Sequence, residues 1–311
     1  MNLPPSHADS FPVDPSATLT SIDKLVARCT FPAAGTSVDC AFSGGPDSTA
    51  LVALAHHAGL VVTAHHVDHG LRSSSIVESE HAARLADQLG AAFVVHRPAV
   101  TGDGNLEARA RLARRNVLPS NAMTGHTADD QAETVLMRLL RGSGVDGLAA
   151  MQPGEQHPIL ALRRSDTEFV CAAFGLQPIR DPSNQSSAIW RNRVRHELLP
   201  LASAIFQRDV VPILTRTADL YRDDAALLEE LAGHLDPTDA LAIAAAPLPL
   251  ARRALRVWLT IDGYPPDAAS VDRVLAVARN DAVACELSPG IRVERTGQRL
   301  RCHQTARNVD S

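Results

Sequence analysis

Lysine is almost absent from this chain: of its 30 basic residues, only Lys24 is not an arginine. Aromatic residues are scarce at 4%, so a core must be built mainly from Ala, Val, Leu and Ile. The five cysteines, Cys29, Cys40, Cys171, Cys285 and Cys302, are odd in number and never spaced CxxC. That argues against a disulfide framework and a four-cysteine zinc site. The opening residues, MNLPPSHADSFPVDPSA, have no basic start and no apolar stretch, so they do not read as a secretory signal. No apolar run is long enough to span a bilayer. A reducing cytoplasm fits this pattern best. The formal charge of −5 argues weakly against a nucleic-acid partner. Its distribution weakens that argument, because arginines cluster at 109–115 and 180–195. A planar guanidinium grips phosphate through two parallel hydrogen bonds, so local clusters count for more than the sum.

What the chain has, over its first half, is alternation. Residues 1–20 are rich in Pro, Ser and Asp and read as a disordered tail. Strand patterns at 38–42, 60–67, 92–97 and 122–126 then alternate with helical patterns at 48–59, 76–90, 105–118 and 129–142. Four such units predict an α/β fold: an open parallel sheet with helices on both faces and right-handed crossovers. PILAL at 158–162 is a further strand candidate. From 190 to about 280 the pattern is helical, and 284–303 reads as short antiparallel strands. The expected division is an α/β domain over 21–200 and a smaller, mostly helical region over 201–311.

The stretch AFSGGPDSTA (41–50) sits at the carboxyl end of the first strand, where open parallel sheets bind ligands. Gly44 and Gly45 can take unusual backbone angles and let amide groups approach an anion. Helix positions beginning near Asp47-Ser48 add the partial positive charge of a helix start. These parts suit a phosphate, although Gly-Gly also serves as a plain strand-to-helix turn with Asp47 or Ser48 as cap. Neither GxxxxGK[ST] nor GxGxxG is present. Downstream, Asp129 and Asp130 open a helix after the fourth strand pattern. They read either as a metal-binding pair or as a cap, Asp130 and Glu133 having capping-box spacing. Glu107 and Arg111 are an i,i+4 pair, and Arg111 and Arg114 share a helix face. Arg191, Arg193 and Arg195 form either a phosphate-binding row beside Trp190 or the charged outer face of an amphipathic helix.

The string SGGPDS resembles the loop of the ATP pyrophosphatases. GHTADDQAET followed by RGSGVDGL, NLEARARLARR, HHVDHGLR and DPSNQSSAIWRNRVRHELLP together resemble the tRNA(Ile)-lysidine synthetases, in family order over about residues 35–205. The resemblance implies an adenine-nucleotide alpha hydrolase-like fold. It also implies ATP and Mg²⁺ as cofactors, with free L-lysine and isoleucine tRNA bearing a CAU anticodon as partners. ATP would be bound by Ser43, Gly44, Gly45, Pro46, Asp47, Ser48, His69, Gly125 and His126, with Asp47 toward Mg²⁺. Asp47, Arg111, Asp129 and Asp130 would carry the chemistry, and Arg114, Arg191, Asn192, Arg193 and Arg195 would meet tRNA. The 201–311 region would be an accessory, tRNA-binding part. Arg115 stands where the family usually has tyrosine. A tRNA-thiolating enzyme of the same superfamily and a nucleotide-binding protein without chemistry are the alternatives. The first needs paired cysteines, and the second needs only the glycine loop.

Overall fold

The computed structural model describes residues 15–68, 70, 75–98, 106–179, 190–261, 263–288 and 290–304. They form two compact units, which divide between Ala218 and Asp219.

The first unit is built on a parallel sheet of β1 (Ser37–Ala41), β2 (Val61–Val67) and β3 (Ala92–His96), in the order β1-β2-β3. Register pairs Cys40 with Ala64 and His65 with Val94. Helix α1 (Pro15–Val26) precedes β1, so residues 15–20 belong to a helix and not to the expected tail. Its Ile22 and Leu25 are buried in the core, which is why the helix forms there. Residues 1–14 of that tail lie outside the described residues.

Helices α2 (Pro46–His57) and α3 (Ser75–Gln88) make the two crossovers. Both strands advance in one direction, so right-handed connections put both helices on one face. Helix α2 buries every residue from Ser48 to Ala55, as a helix surrounded by other elements must. Ala50, Ala53 and Ala55 bring it close to β1 and β2, while Leu51 and Leu54 fill the remaining space. Each such leucine contributes roughly 1.5–3 kcal/mol by leaving water.

Helix α4 (Leu106–Val117) carries the chain back past β1, and by the same handedness it falls on the opposite face. The expected fourth strand is reduced to one parallel bridge, Cys40 with Met123. Met123 donates to the Asp39 carbonyl and accepts from the Ala41 amide, both at 2.8 Å. The chain then turns at once into α5 (Ala128–Leu140) and the single turn α6 (Val145–Leu148).

The expected strand at 158–162 is a buried turn instead. Ile159, Leu160 and Leu162 are inside, but the Leu160 and Leu162 amides donate to the His157 and Ile159 carbonyls as turn bonds rather than to a ladder. It leads into α7 (Arg164–Ala173), which packs on α2. A helical stretch follows: α8 (Trp190–Arg193), a π turn (Val194–Leu198) and α9 (Leu199–Phe206). Val194, Leu199, Val210 and Val211 pack on Ala128 and Ala132 of α5. That packing ties residues 190–211 to the first unit. The division therefore falls inside α10 (Val211–Gly233), not at 200/201.

The second unit continues with α11 (Ala240–Ala245), α12 (Leu248–Trp258) and α13 (Ala268–Ala278). It ends in an antiparallel sheet, β4 (Ala284–Ser288), β5 (Ile291–Thr296) and β6 (Arg299–Gln304), as the alternation at 284–303 predicts. Its own core includes Ile243, Leu255, Val274, Val293 and Leu300.

Candidate active site at the carboxyl end of the parallel sheet

Strand β1 lies between β2 and the Met123 bridge, so the chain leaves β1 in one direction and returns on its other side. That reversal is the switch point at which open α/β sheets bind ligands. Two segments meet there: Ser43–Ser48 after β1, and Thr124–Thr127 after Met123.

The first segment is held open by its own hydroxyls. Ser48 Oγ donates to the Gly45 carbonyl at 3.0 Å, lies 3.0 Å from Ser43 Oγ, and accepts from the Ser43 amide at 3.2 Å. Gly44 has φ +78°, a conformation that side chains rarely adopt. Pro46 begins α2, where its missing N–H costs nothing. The second segment touches the first through Gly125. A Cβ on Gly125 would lie 2.7 Å from the Asp47 carbonyl oxygen, so only glycine allows this approach.

Asp47 is the acid of the loop, and burial raises its pKa. Two groups from the first turn of α7 oppose that shift. Thr167 Oγ1 donates to Asp47 Oδ1 at 2.6 Å, and Arg164 Nε stands 3.6 Å from Oδ2. Arg164 also reaches Asp130 at 3.3 Å and Glu133 at 3.6 Å. It thus connects the loop to an acidic pair on α5.

That pair is enclosed by arginine. Glu133 has no exposed side-chain surface. It accepts from Arg191 Nε at 2.7 Å and from Arg195 Nε at 2.6 Å. Asp130 Oδ1 accepts from Arg164, Arg191 and Arg195 at 3.1–3.3 Å. Its other oxygen closes a capping box, accepting from the Thr127 amide at 2.9 Å. The cap is therefore Thr127 with Asp130, not Asp130 with Glu133. Despite burial, the arginines and the cap hold the Asp130 carboxyl below its usual range. Asp129 faces elsewhere. Arg163 grips both its oxygens at 3.0 and 3.1 Å, and the Arg164 amide adds a bond at 2.8 Å. Arg163 also bonds Asp209. These contacts depress the Asp129 pKa against burial.

His126 is held neutral. Burial pushes its pKa down to about 4; Asp130 opposes this, while His157, Arg191 and Arg114 add to it. The π turn at Val194–Leu198 carries Arg195 into the acidic pair, a use common to π turns at functional sites.

The structure thus brings together Ser43–Ser48, Gly125, His126 and Asp130, with Arg191 and Arg195. Arg193 does not join them: it pairs with Glu197 at the surface. Asn192 is buried. Arg114 is exposed on α4. His69, the Asp181–Asn184 stretch and the side chain of Arg111 lie outside the described residues. Sequence reasoning missed Glu133 as a partner of arginines, together with Arg163, Arg164, Thr167 and His157. The adjacent arginines followed by Asp166-Thr167 at a helix start were the available signal.

Comparison with known proteins agrees with this geometry. The PP-loop domain family matches residues 18–202. The tRNA(Ile)-lysidine synthase of Nocardia farcinica is 43% identical over 248 residues, covering 75% of this chain and 78% of that relative. The tRNA(Ile)-lysidine synthase of Thermobifida fusca is 37% identical over 270 residues, covering 79% and 83%. Among solved structures, the U34-tRNA thiolase NcsA from Methanococcus maripaludis superposes with a TM-score of 0.52 at 14% identity, covering 72% of this chain and 82% of that one. At that identity the likeness concerns the fold alone. With its glycine loop at the switch point and these relatives along three quarters of its length, the chain belongs to the tRNA(Ile)-lysidine synthase family of PP-loop ligases.

Proposed function

We propose that this protein joins the amine of free L-lysine to C2 of the wobble cytidine in isoleucine tRNA bearing a CAU anticodon, splitting ATP into AMP and pyrophosphate. The observation that carries the reading is the placement of Ser43–Ser48 and Asp47 at the switch point, backed by Gly125 and linked through Arg164 to Asp130 and Glu133.

In this reading Ser43, Gly44, Gly45, Pro46, Asp47 and Ser48 hold the polyphosphate, with Gly125, His126 and His69 toward the nucleotide. The cytidine O2 attacks the α-phosphorus, and pyrophosphate leaves against the amides of the loop. The lysine amine, neutral when it attacks, then displaces AMP from C2. Asp130 is the carboxylate assigned to that amine. It already bonds three guanidinium groups, so it is a carboxylate that takes cationic nitrogen donors. Asp129 is assigned to holding Arg163 and the first turn of α7 beside the site. Arg111 is assigned to the charge developing at phosphorus.

Asp47 offers one carboxylate for Mg²⁺. Among the described residues, no cluster of three or more acidic, histidine or cysteine side chains could hold a metal alone. Magnesium keeps waters and takes phosphate oxygens, so a single carboxylate beside bound ATP fits it. There it would offset charge on the departing pyrophosphate.

Arg114 and Arg193 suit tRNA phosphates from the surface, and Arg191 and Arg195 reach the substrate from the acidic pair, where their side chains stay 30% and 21% exposed. The second unit is assigned to the body of the tRNA. A thiolation chemistry is less well supported: burial pushes the thiols of Cys29, Cys40 and Cys171 up to about 12, which makes them poor nucleophiles.

The test is incubation with ATP, lysine and tRNA transcripts. AMP should form only when lysine and a CAU-anticodon isoleucine transcript are both present. Release that ignores either one overturns the reading. Asp47→Ala should fold and lose adenylation; normal turnover would remove Asp47 from the site.

A further inference from the structure

Where the chain leaves β1, one peptide unit is held by a side chain at each end. The Phe42 amide still belongs to the sheet and donates to the His65 carbonyl at 2.8 Å. The next peptide joins Phe42 to Ser43. Its carbonyl oxygen lies 2.9 Å from His66 Nδ1, and its amide donates to Ser48 Oγ at 3.2 Å. His66 is buried near the carboxyl end of β2. Its ring stacks on Phe93 with centroids 6.0 Å apart, and Phe93 meets Phe42 edge to face at 6.4 Å. His65, one residue earlier, faces the other side of the sheet and bonds Asp39 and His96. The ligation chemistry makes no use of His66.

The acceptor settles the direction of the His66 bond. A carbonyl oxygen has no proton to give, so Nδ1 carries the hydrogen and donates it. The Ser43 amide likewise can only donate. The Phe42–Ser43 peptide therefore has one orientation in which both bonds form. Turned over, it would set its N–H against the ring N–H, donor facing donor. It would also aim a carbonyl oxygen into the loop. There the amides of Asp47 and Ser48, in the first turn of α2, have no intrahelical acceptor and are free to meet an anion. Ser43 passes the constraint on: its Oγ accepts from the Gly45 amide at 3.3 Å and lies 3.0 Å from Ser48 Oγ.

We infer that His66 is a positioning residue for the loop at 43–48. Its Nδ1–H locks the Phe42–Ser43 peptide, so that a bound anion meets amides and not a carbonyl oxygen. The consequence for ATP rests on the assignment of this loop to the polyphosphate. His66 itself touches no substrate and acts through Ser43 and Ser48.

The experiment combines ring ¹⁵N NMR of the histidine-labelled full-length protein, the amide signals of Gly44 and Gly45, and equilibrium binding of a non-hydrolysable ATP analogue. Three variants separate the ring from its donor. His66→Phe keeps an aromatic ring on Phe93 and deletes the donor. His66→Asn places an amide nitrogen near the position of Nδ1, and His66→Gln places it near Nε2. The wild type should show His66 protonated at Nδ1. His66→Phe and His66→Gln should shift the Gly44 and Gly45 signals and weaken the analogue about ten-fold, the size of one buried hydrogen bond left unmade. His66→Asn should stay within about two-fold of the wild type, because it restores that bond. A wild-type ring without a proton on Nδ1 overturns the inference, and that spectrum needs no variant to fold. Wild-type loop signals in His66→Phe overturn it as well. So does His66→Asn binding as weakly as His66→Phe, which would make the bulk of the ring the cause. An analogue that binds the wild type without moving the Gly44 and Gly45 signals overturns instead the assignment of the loop to ATP. His66 is then decided by the loop signals of the variants alone.

Discussion

Arginine meets carboxylate in both units of this protein, with different physical consequences. In the second unit Arg252 pairs with Asp272, Arg292 with Glu286 and Arg299 with Asp236, with both partners of every pair roughly half exposed. Water screens such pairs, and their geometry is little more than a surface preference. In the first unit Arg164, Arg191 and Arg195 converge on Asp130 and on Glu133, whose side chain has no exposed surface. There the charges have left water, so each depends on the others. The difference shows that the arginine content of the chain says little by itself. Burial decides whether a pair decorates the surface or organises a site.

The strongest way to break this comparison is Glu133→Gln. Three guanidinium groups would lose a buried counter-charge, and the first unit should lose about 3–5 kcal/mol in urea denaturation. An unchanged midpoint would place this network with the surface pairs. Acid offers a second route. His126 keeps a folded pKa of about 4 against 6.5 when unfolded, so the unfolded chain binds the proton first. Stability therefore falls as pH drops from 6.5 toward 4, by about 3 kcal/mol if this group acts alone. Denaturation at pH 7 and pH 5 should show the decline beginning, and His126→Gln should flatten it. The carboxylates respond later. Asp129 and Asp130 have depressed pKa values, so what they contribute is present above the ordinary carboxylate range and is lost only below it.

Smaller effects sharpen the contrast. Thr167→Val keeps the shape of a fully buried side chain but removes the donor to Asp47. It should cost roughly 1–3 kcal/mol, with Thr167→Ser close to wild type. At the far end, Asp272→Asn in the second unit should leave the urea midpoint where it was. A measurable shift there would show that an exposed pair carries more than its geometry suggests.

How legible was this in the chain? The period-two and helical runs locate β1, α2, β2, α3 and β3 within a residue or two, because each depends on neighbours in sequence. PILAL misleads for a related reason: a short apolar run reports burial, not backbone pairing, and Ile159 and Leu162 are buried in a turn. The AMTGH stretch holds one bridge instead of a strand, since the chain must turn at Gly125 to pack against the Asp47 backbone. Asp130 could be read as a cap from its spacing, but its true partner, Thr127, lay on the other side of the motif.

The sequence alone determined the place of the glycine loop after β1, the run from β1 through β3 with its two helices, and the family, because these rest on local periodicity and on motifs a few residues long. Tertiary structure decided which charges meet. Thr167 reaches Asp47 across 120 positions, and Arg195 reaches Glu133 across 62. Such pairings follow from how crossovers and packed helices fold back on one another. No spacing along the chain encodes the dry surroundings that make them strong.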